Sequence, residues 1–337
     1  MKNLLNEKIL QKIIVHFDLG QKKVALKPLL GGRLHQQWQI TTDKGCYVIK
    51  QLNEKVLLTA EAYKRYQATE IIAKSFAKVI DAVHAFFIDQ NPLLTIDGHT
   101  FLVFPYIFAT TLEQQQIQPA HLQQISTVLA KIHCANLKIE QAPHVEEFDL
   151  DIASFTNHLS SLQQVKADLA DAVAKQLQLI EVIIENYITA KQCMQHNLII
   201  SHQDLDAKNV LWQQHRAYII DWEAAGLINQ TVDFLTTAIY WTIENSFKIN
   251  LKHLGLFRDN FCTQAAFKFD EIQLHAAYDK LLANWLNWLD FNLKRTLTTP
   301  SSADENLLAI REAKFTLKAL PIIYQQKQIV LDTLLRE

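Results

Sequence analysis

Two short motifs limit what this chain can fold into more than any other feature of its sequence. His202 to Asn209 reads H-x-D-x-x-x-x-N and is followed at once by the apolar residues 210–212, while Asp221 follows the β-prone residues 218–220. Two such runs separated by a polar turn predict a β-hairpin. Because each residue of a strand rises only about 3.3 Å, the hairpin brings Asn209 and Asp221 to the same end.

The residue types at these positions predict phosphoryl transfer from a nucleotide. The carboxylate of Asp204 is suited to orient a hydroxyl group and accept its proton, while Asn209 and Asp221 hold Mg2+ on the phosphates. His202 is expected to brace the loop through backbone contacts. Two alternatives stay open on the residues alone. In one, the Asp and Asn side chains merely cap turns; in the other, His202, Asp204 and Asp221 bind the metal of a hydrolase, which leaves Asn209 unexplained.

The segments 201–212 and 220–226 resemble the aminoglycoside phosphotransferase and choline kinase superfamily, in a bacterial branch of unsettled substrate. This superfamily comprises small-molecule relatives of the protein kinases. The resemblance implies an α+β, bilobal fold, with a small five-stranded antiparallel N-terminal lobe carrying one helix and a larger, mainly helical C-terminal lobe. It also implies a kinase whose acceptor is an alcohol group. Trp222 stands where protein kinases have the phenylalanine of D-F-G, which argues against that branch.

Composition is that of a globular protein with room for two domains. The balance of 33 basic and 35 acidic residues among 337 gives no reason to expect nucleic acid or an anionic membrane as a partner. Cys46, Cys134, Cys193 and Cys262 lie far apart and predict thiols in a reducing compartment. The first residues lack the apolar core of a signal peptide and no run is long enough to span a membrane, so a cytoplasmic protein is expected.

The N-terminal segment predicts a sheet that carries a phosphate-binding lysine. Strands are expected at residues 24–26, 38–42 and 46–50. Alternation along the third places Cys46, Val48 and Lys50 on one face, so Lys50 is expected to contact the nucleotide phosphates. Backbone amides after Gly31 and Gly32 are expected to help cradle them, although these glycines lack the G-x-G-x-x-G spacing.

A helix and a hinge complete the predicted nucleotide site. Residues 54–78 predict an amphipathic helix. Both Glu61 and Glu70 on it are candidate partners of Lys50 in a kinase-like ion pair, and Glu70 is preferred because its surroundings resemble the family's helix more closely. Two further strands at residues 93–96 and 101–104 lead to a hinge, where the nucleotide base is expected to bind through backbone groups at Phe104 and Tyr106.

The predicted domains follow from the hinge. They are an N-terminal nucleotide-binding lobe (1–104), the hinge (105–112) and a helical C-terminal lobe for catalysis and substrate binding (113–337). Helices are expected at residues 122–137, 168–192, 231–245, 267–293 and 305–334. His133 and three tryptophans at helical spacings, Trp241, Trp285 and Trp288, are expected to lie in the core.

These features together predict a phosphotransferase that uses ATP (or GTP) and Mg2+. Acidic candidates for the acceptor site, which are Asp206, Glu223 and the cluster 146–151, favour a small, amine-bearing hydroxyl compound. Asp206 and Lys208 differ from the common choline kinase loop, so a true choline kinase is less favoured. Two alternatives stay open: a nucleotide-binding pseudokinase, given the poor glycine loop, and a protein kinase, for which an A-P-E segment is missing. The sequence selects neither one acceptor nor an oligomeric state.

Overall fold

The computed structural model describes residues 5–29, 35–54, 56–57, 59–144, 148–298 and 303–336. Contacts within the chain divide it into two compact units. The first comprises Met1–Leu112, Ala135–His144 and Ile200–Leu227, and the second comprises Glu113–Cys134, Val145–Ile199 and Ile228–Glu337. The first unit therefore contains both motifs together with the segment predicted to bind nucleotide. The assignment of nucleotide binding and substrate binding to separate lobes stays a prediction.

A five-stranded antiparallel sheet lies at the centre of the first unit, in the order β1-β2-β3-β5-β4. Its strands are β1 (Lys27–Pro28), β2 (Gln36–Thr41), β3 (Cys46–Gln51), β4 (Leu94–Ile96) and β5 (His99–Pro105). The register places Lys50 of β3 between Gln37 of β2 and Leu102 of β5. The predicted α+β class and its five-stranded antiparallel sheet are confirmed.

Alternation along these strands gives the sheet two apolar faces. One face packs against helix α1 (Glu7–His16) through the buried residues Trp38, Ile40, Ile49, Phe101 and Val103. The other packs against helix α2 (Ala60–Phe76) through Leu52, Leu102 and Tyr66. Lys50 lies two residues before Leu52, so its side chain leaves the sheet on the α2 side. The two helices thus fix the sheet from both sides and leave one buried lysine facing α2.

Two local predictions in this unit are wrong, and one helix was not predicted. The helix expected over residues 54–78 begins only after Thr59, whose side chain accepts a hydrogen bond from the backbone N–H of Ala62 at 3.1 Å and caps the helix. The strand expected at residues 24–26 is replaced by the short edge strand β1, and Val24 is 55% exposed. Helix α1 was not predicted, although its buried residues recur at the helical spacing of four.

The two motifs lie on either side of a hairpin, as predicted. β6 (Leu198–Ser201) leads into the first motif, β7 (Val210–Gln213) and β8 (Arg216–Ile219) form the antiparallel hairpin, and β9 (Gly226–Asn229) follows the second motif. The N–H of Ile220 donates to the carbonyl oxygen of Asn209 at 3.0 Å, which extends the pairing by one step. Asn209 and Asp221 therefore lie at the same end of the hairpin.

Two other segments of the first unit hold this hairpin in place. Ile219 donates its N–H to the carbonyl of Asp81 at 2.9 Å and accepts a hydrogen bond from the N–H of Val83 at 2.8 Å. Thr110 and Trp212 exchange backbone hydrogen bonds of 3.3 and 2.7 Å. The hairpin is thus anchored to the residues that follow α2 and to the segment predicted as the hinge.

The second unit is helical. Its helices are α3 (Pro119–Ala135), α4 (Ile152–Val165), α5 (Ala167–Ala174), α6 (Leu177–Ala190), α7 (Gln230–Thr242), α8 (Leu251–Ala265), α9 (Glu271–Leu297), α10 (Ala303–Gln325) and α11 (Lys327–Leu335). The helix predicted over 168–192 is two helices, and so is the one predicted over 305–334. At the second break the side chain of Gln326 accepts from the N–H of Ile249 and donates to the carbonyl of Phe247, at 2.8 and 2.9 Å.

Aromatic side chains fill the centre of this unit, as the helical spacing predicted. Trp241 is 1% exposed, and Phe234, Phe257 and Phe261 are fully buried, whereas Trp285 and Trp288 are only half-buried. His133 is also buried, and its Nε2 lies 2.7 Å from Asp233 Oδ2, so a hydrogen bond is added to its core packing. No helix among the described residues is both long enough and apolar enough to cross a membrane.

Candidate active site

His202 holds the first motif through the backbone at both ring nitrogens. Its Nε2 lies 3.0 Å from the carbonyl oxygen of Ile220 and therefore carries the proton, while Nδ1 accepts the N–H of Asp204 at 3.2 Å. Gln203, between them, lies in the left-handed region with φ 63°. A non-glycine residue in that region is uncommon and is often found at functional sites. The histidine thus fixes the direction in which Asp204 leaves the loop.

Asp204 is held by the two residues that end the motif. Asn209 Nδ2 donates to both the main-chain oxygen and Oδ2 of Asp204, each at 2.8 Å. Lys208 Nζ lies 3.2 Å from the other carboxylate oxygen, Oδ1. Burial raises the pKa of Asp204, and the charge of Lys208 opposes the rise. The carboxylate is thus half-buried, oriented on one side by an amide and open on the other beside an ammonium group.

The second motif turns sharply at Asp221, which has φ 62° and ψ 62°. A 3₁₀ turn, Trp222–Ala224, follows directly. The left-handed residue therefore ends the alternation of β8, so the side chains after it do not follow the period of two. Trp222 points into the core, while Asp221 keeps 41% of its side chain exposed. The alternation of strand β8 therefore does not predict where the side chains of Asp221 and Trp222 point.

Trp222 locks this turn against α2 and the first motif. It is 1% exposed, its ring stacks on Phe76 with centroids 5.3 Å apart, and it meets the ring of His202 edge-on at 4.6 Å. Its Nε1 donates to the carbonyl of Ile219 at 3.1 Å. A side chain packed on three sides in this way leaves no room for the mobile aromatic switch of protein kinases.

Replacing Trp222 by alanine should therefore destabilise the fold strongly. We expect Trp222→Ala to lower the free energy of unfolding by about 3–5 kcal/mol, because a large buried ring is lost. Trp222→Phe keeps most of the ring packing and loses the hydrogen bond to Ile219. The lost hydrogen bond should add about 1 kcal/mol to the small loss that comes from the change in packing. Urea denaturation of both variants checks the prediction, and equal losses would contradict the packing role.

Lys50 forms its ion pairs with the second motif. Its Nζ lies 3.0 Å from Asp221 Oδ1, and it also pairs with the carboxylate of Glu223. Burial opposes the charge of Lys50, whose side chain is 7% exposed, but the two carboxylates outweigh that effect and its pKa is raised. Conversely, Lys50 and His35 overcome burial and lower the pKa of Glu223. The lysine is charged and held directly beside Asp221.

The predicted partner of Lys50 was Glu70, and this pairing is not found. Glu70 is 4% exposed and one of its oxygens accepts the N–H of Ala85 at 2.7 Å, whereas the alternative, Glu61, is exposed on the same helix. Glu223, predicted to contact substrate, takes the place of Glu70 because the turn after Asp221 directs it towards β3. Burial raises the pKa of Glu70 to about 7, with the Ala85 hydrogen bond and Lys50 opposing.

The raised pKa of Glu70 should make stability depend on pH. The folded chain binds more protons than the unfolded chain between about 4.5 and about 7, so the free energy of unfolding falls as pH rises through that window. Since one pKa unit is about 1.4 kcal/mol, the total change is about 3 kcal/mol. Glu70→Gln should remove this slope, and Glu61→Gln should keep it. Denaturant titrations at several pH values test this, and an unchanged slope in Glu70→Gln would contradict it.

A buried histidine that the sequence did not single out completes the Lys50 network. His35 Nδ1 accepts the N–H of Asn53 at 3.0 Å, so Nε2 carries the proton and donates to Glu223 Oε2 at 3.1 Å. The hydroxyl of Tyr66 lies 3.0 Å from the same nitrogen. Glu223 is thus fixed from two sides, by His35 and Lys50. The contact joins residues 188 positions apart and has no local sequence signal.

The remaining predicted site residues are placed as follows. Gly31 and Gly32 lie outside the described residues. Phe104 is half-buried against the cluster that packs on α2, and Tyr106 donates its N–H to the carbonyl of Cys46 at 3.0 Å at the end of β5. Asp206 lies in the first motif, 3.5 Å from Lys208 through Oδ2. Phe104 and Tyr106 therefore lie where β5 runs into the predicted hinge.

The oxygen atoms at the end of the hairpin fit Mg2+. Asn209 directs its amide nitrogen to Asp204, which leaves its side-chain oxygen as the group free to face a cation, and Asp221 supplies a half-exposed carboxylate. Mg2+ prefers such oxygen ligands, completed by water and nucleotide phosphates. Both nitrogens of His202 are engaged by the backbone, and no group of three His, Cys, Asp or Glu within the described ranges is placed to hold a metal. The hydrolase alternative is therefore disfavoured.

Comparison with known families agrees with this geometry. The model of the phosphotransferase enzyme family matches residues 25–289, which is more than half of the chain and includes Lys50 and both motifs. The chain belongs to this family. The predicted superfamily and the predicted enzyme class, a kinase, are thereby confirmed. No curated protein matches the sequence.

Solved structures show the same fold at low identity. This phosphotransferase matches spectinomycin phosphotransferase in complex with ADP and spectinomycin, at 13% identity and a TM-score of 0.71, over 96% of this chain and 100% of that one. It matches an amicoumacin kinase in complex with AMP-PNP, Ca2+ and Ami at 13% and 0.65, over 95% and 97%. A choline kinase from Cryptosporidium parvum Iowa II matches at 13% and 0.57, over 98% and 100%. The kinase-like fold is confirmed.

The second unit of the phosphotransferase contains a cavity of about 420 Å³. It is bounded by the residues that follow Leu112 and by the loop between α7 and α8. The lining includes the side chains Gln114, Gln115, Trp241, Glu244, Asn250 and His253. The lining mixes apolar surface with amide and hydroxyl groups, Glu244 is the acidic group, and none of the lining residues in the described part of the chain is lysine or arginine. This chemistry suits a neutral or cationic polar ligand better than an anion.

Proposed function

We propose that this phosphotransferase transfers the γ-phosphoryl group of ATP to a hydroxyl group of a small, amine-bearing molecule, with Mg2+ on the phosphates. The observation that carries the proposal is the end of the hairpin, where Asp204, Asn209 and Asp221 come together with Lys50. Transfer of this kind passes through a loose transition state, so positioning and charge neutralisation matter more than strong basicity. The four side chains supply both.

Each residue has a role that follows from its contacts. Lys50, paired with Asp221 and Glu223, provides a fixed positive charge for the nucleotide phosphates. Asp221 and Asn209 would hold Mg2+, which would neutralise charge on the nucleotide phosphates. Asp204 orients the acceptor hydroxyl and takes its proton, with His202 fixing the loop. Phe104, Tyr106 and the amides after Gly32 are proposed to contact the nucleotide, and Glu70 to support α2 from the interior.

Further observations support an adenine nucleotide as the phosphoryl donor and a small, amine-bearing molecule as the acceptor. The structural neighbours with ADP, with AMP-PNP and with the small molecules spectinomycin and Ami favour an adenine nucleotide and a small acceptor. Asp204 and Asp206 give the first motif two carboxylates against the single ammonium group of Lys208, and this net negative charge favours an acceptor that carries a protonated amine. An amino alcohol or aminoglycoside has the required groups.

A screen for acceptor-dependent ADP release tests the proposal. The full chain is incubated with MgATP and with panels of aminoglycosides, choline, other amino alcohols, homoserine and neutral sugars, and MgGTP replaces MgATP in a parallel series. We expect ADP release with at least one amine-bearing compound, and a product that carries one added phosphate by mass spectrometry. Binding of MgATP without transfer to any compound would favour the pseudokinase alternative. Transfer only to neutral sugars would contradict the amine requirement.

A further inference from the structure

Lys208 is the one lysine of the first motif, and the proposed mechanism leaves its charge unused. Its side chain is 62% exposed, in contrast to the 7% of Lys50. Its Nζ lies 3.2 Å from Asp204 Oδ1 and 3.5 Å from Asp206 Oδ2. In the described part of the chain, Lys208 is the residue that forms a salt bridge with Asp204. A cation at the open side of the catalytic carboxylate requires an explanation.

The backbone fixes Lys208 relative to Asp204. The N–H of Asp206 donates to the carbonyl of Asp204 at 2.8 Å, and the N–H of Asn209 donates to the carbonyl of Asp206 at 2.9 Å. The 3₁₀ turn Ala207–Asn209 thus closes the loop and holds the Cα of Lys208 in place. Asp206 holds the far end of the side chain. The backbone turn thus fixes the base of the Lys208 side chain, and the carboxylates of Asp204 and Asp206 hold its ammonium group.

An exposed ion pair with i to i+4 spacing contributes little to stability, about 0–1 kcal/mol. Stability therefore does not explain why Lys208 lies beside Asp204. A second consideration is charge. Two carboxylates and one ammonium group leave this part of the loop with net negative charge, which repels a phosphoryl group that approaches Asp204. Lys208 is the cation in contact with Asp204.

Distances place the reacting group within reach of Lys208. An acceptor oxygen lies about 2.6–3.2 Å from the carboxylate that takes its proton. The phosphorus that it attacks lies about 3–3.5 Å further on. The Lys208 ammonium group lies 3.2 Å from Asp204 Oδ1. By rotation about the side-chain bonds it can move to within contact distance of a phosphoryl oxygen while the Cα stays in place. Both lysines pair with two carboxylates, but the side chain of Lys208 is 62% exposed and has room to rotate, whereas that of Lys50 is 7% exposed and is held in the interior.

We infer that Lys208 is a catalytic residue that moves from Asp204 to the transferring phosphoryl group, with Asp206 as its positioning residue; this rests on the proposed function. In the step, a lone pair of the acceptor oxygen forms the new bond to the γ-phosphorus. The bond from that phosphorus to the bridging oxygen breaks, and its electron pair leaves with ADP. The hydroxyl proton passes to Asp204. Lys208 keeps its proton throughout and stabilises the charge on the phosphoryl oxygens.

The test uses the full chain, MgATP and water as the acceptor, with phosphate release and MgATP affinity measured separately. Lys208→Met keeps the length of the side chain and removes the charge. We expect it to lower kcat about 10²-fold, the usual effect of removing one group that stabilises transition-state charge, with MgATP affinity within about twofold. Lys208→Arg keeps a mobile cation and should recover about tenfold of the loss. Asp206→Asn should lower kcat by less than about tenfold, because it frees Lys208 without removing it.

The outcomes separate this inference from the proposed function. If Lys208→Met matches the unmodified chain while Asp204→Asn is inactive, the proposed function stands and Lys208 has no catalytic role. If Lys208→Met loses MgATP affinity and kcat together, the lysine binds the ground state and the inference is overturned. If the unmodified chain binds MgATP but releases no phosphate to water or to any acceptor of the screen, the proposed function fails and the inference fails with it.

Discussion

Asp204→Asn should reduce phosphoryl transfer about 10³-fold while MgATP affinity stays within about twofold of the unmodified chain. The loss is that expected when a positioned proton acceptor is removed. Asparagine preserves the size of the side chain and offers an oxygen to Asn209, so the loop geometry is kept. Nucleotide affinity is expected to persist because Lys50, Asp221 and Asn209 are unchanged. Steady-state kinetics with the best acceptor, together with a MgATP binding titration, measures both quantities.

The stability of the same variant provides an internal control. Burial raises the pKa of Asp204, which means that the folded chain disfavours its ionised form. A neutral side chain at this position removes that penalty, so Asp204→Asn should unfold at the same urea concentration as the unmodified chain or at a higher one. An inactive variant that is also markedly less stable would indicate a structural role for Asp204, and the kinetic loss would then not identify a proton acceptor.

Asp206→Asn is the matched control for this experiment. Asp206 lies two residues away on the same loop, is also half-buried, and also contacts Lys208. Its carboxylate contacts Lys208, whereas the side chain of Asn209 donates its hydrogen bonds to Asp204. Substitution of Asp206 should therefore lower activity by less than about tenfold, against about 10³-fold for Asp204→Asn. Inactivation by Asp206→Asn with activity retained in Asp204→Asn would exchange the roles of the two carboxylates and contradict the assignment made from the H-x-D spacing.

The parts of the site that the sequence predicted are those fixed by short-range pairing. Asn209 and Asp221 meet because two four-residue strands and a tight turn lie between them, and the alternation of such strands is visible in the residues. Lys50 follows from alternation along β3 in the same way. The buried residues of helix α1 recur at a comparable local spacing, so this helix was also predictable from the sequence.

The partner of Lys50 was predicted incorrectly for a physical reason. Period-two alternation ends at Asp221, where a left-handed residue starts a 3₁₀ turn, so the direction of Glu223 cannot be counted from β8. Its contacts with Lys50 and His35 join segments far apart in the chain, which local patterns do not specify. Glu70 has the expected spacing from Lys50, but its carboxylate is used by the N–H of Ala85. Tertiary contacts therefore override the local expectation at this position.

Exchange of Lys50 for methionine should be the second large loss, at least about 10²-fold in kcat/KM for ATP. Methionine retains much of the apolar length and removes the positive charge that Asp221 and Glu223 hold in place. The unfolding free energy should also fall, by about 1–3 kcal/mol, because Glu223 loses a partner in the interior, while solvent screens the 41% exposed Asp221. Kinetics at varied MgATP and urea denaturation measure the two effects. Unchanged kcat/KM would exclude Lys50 from phosphate binding.

Two glutamine variants decide which carboxylate orients Lys50. Glu223→Gln should lower kcat/KM for ATP about tenfold, because it removes one of the two charges that fix the ammonium, whereas Glu70→Gln should stay within about threefold. A double-mutant cycle isolates the pair: the stability losses of Lys50→Met and Glu223→Gln should sum to about 1–3 kcal/mol more than the loss of the double variant. If the losses of Lys50→Met and Glu223→Gln are additive, and Lys50→Met is coupled to Glu70→Gln instead, then Lys50 pairs with Glu70, as the sequence spacing favours. Glu223 would then be removed from the site.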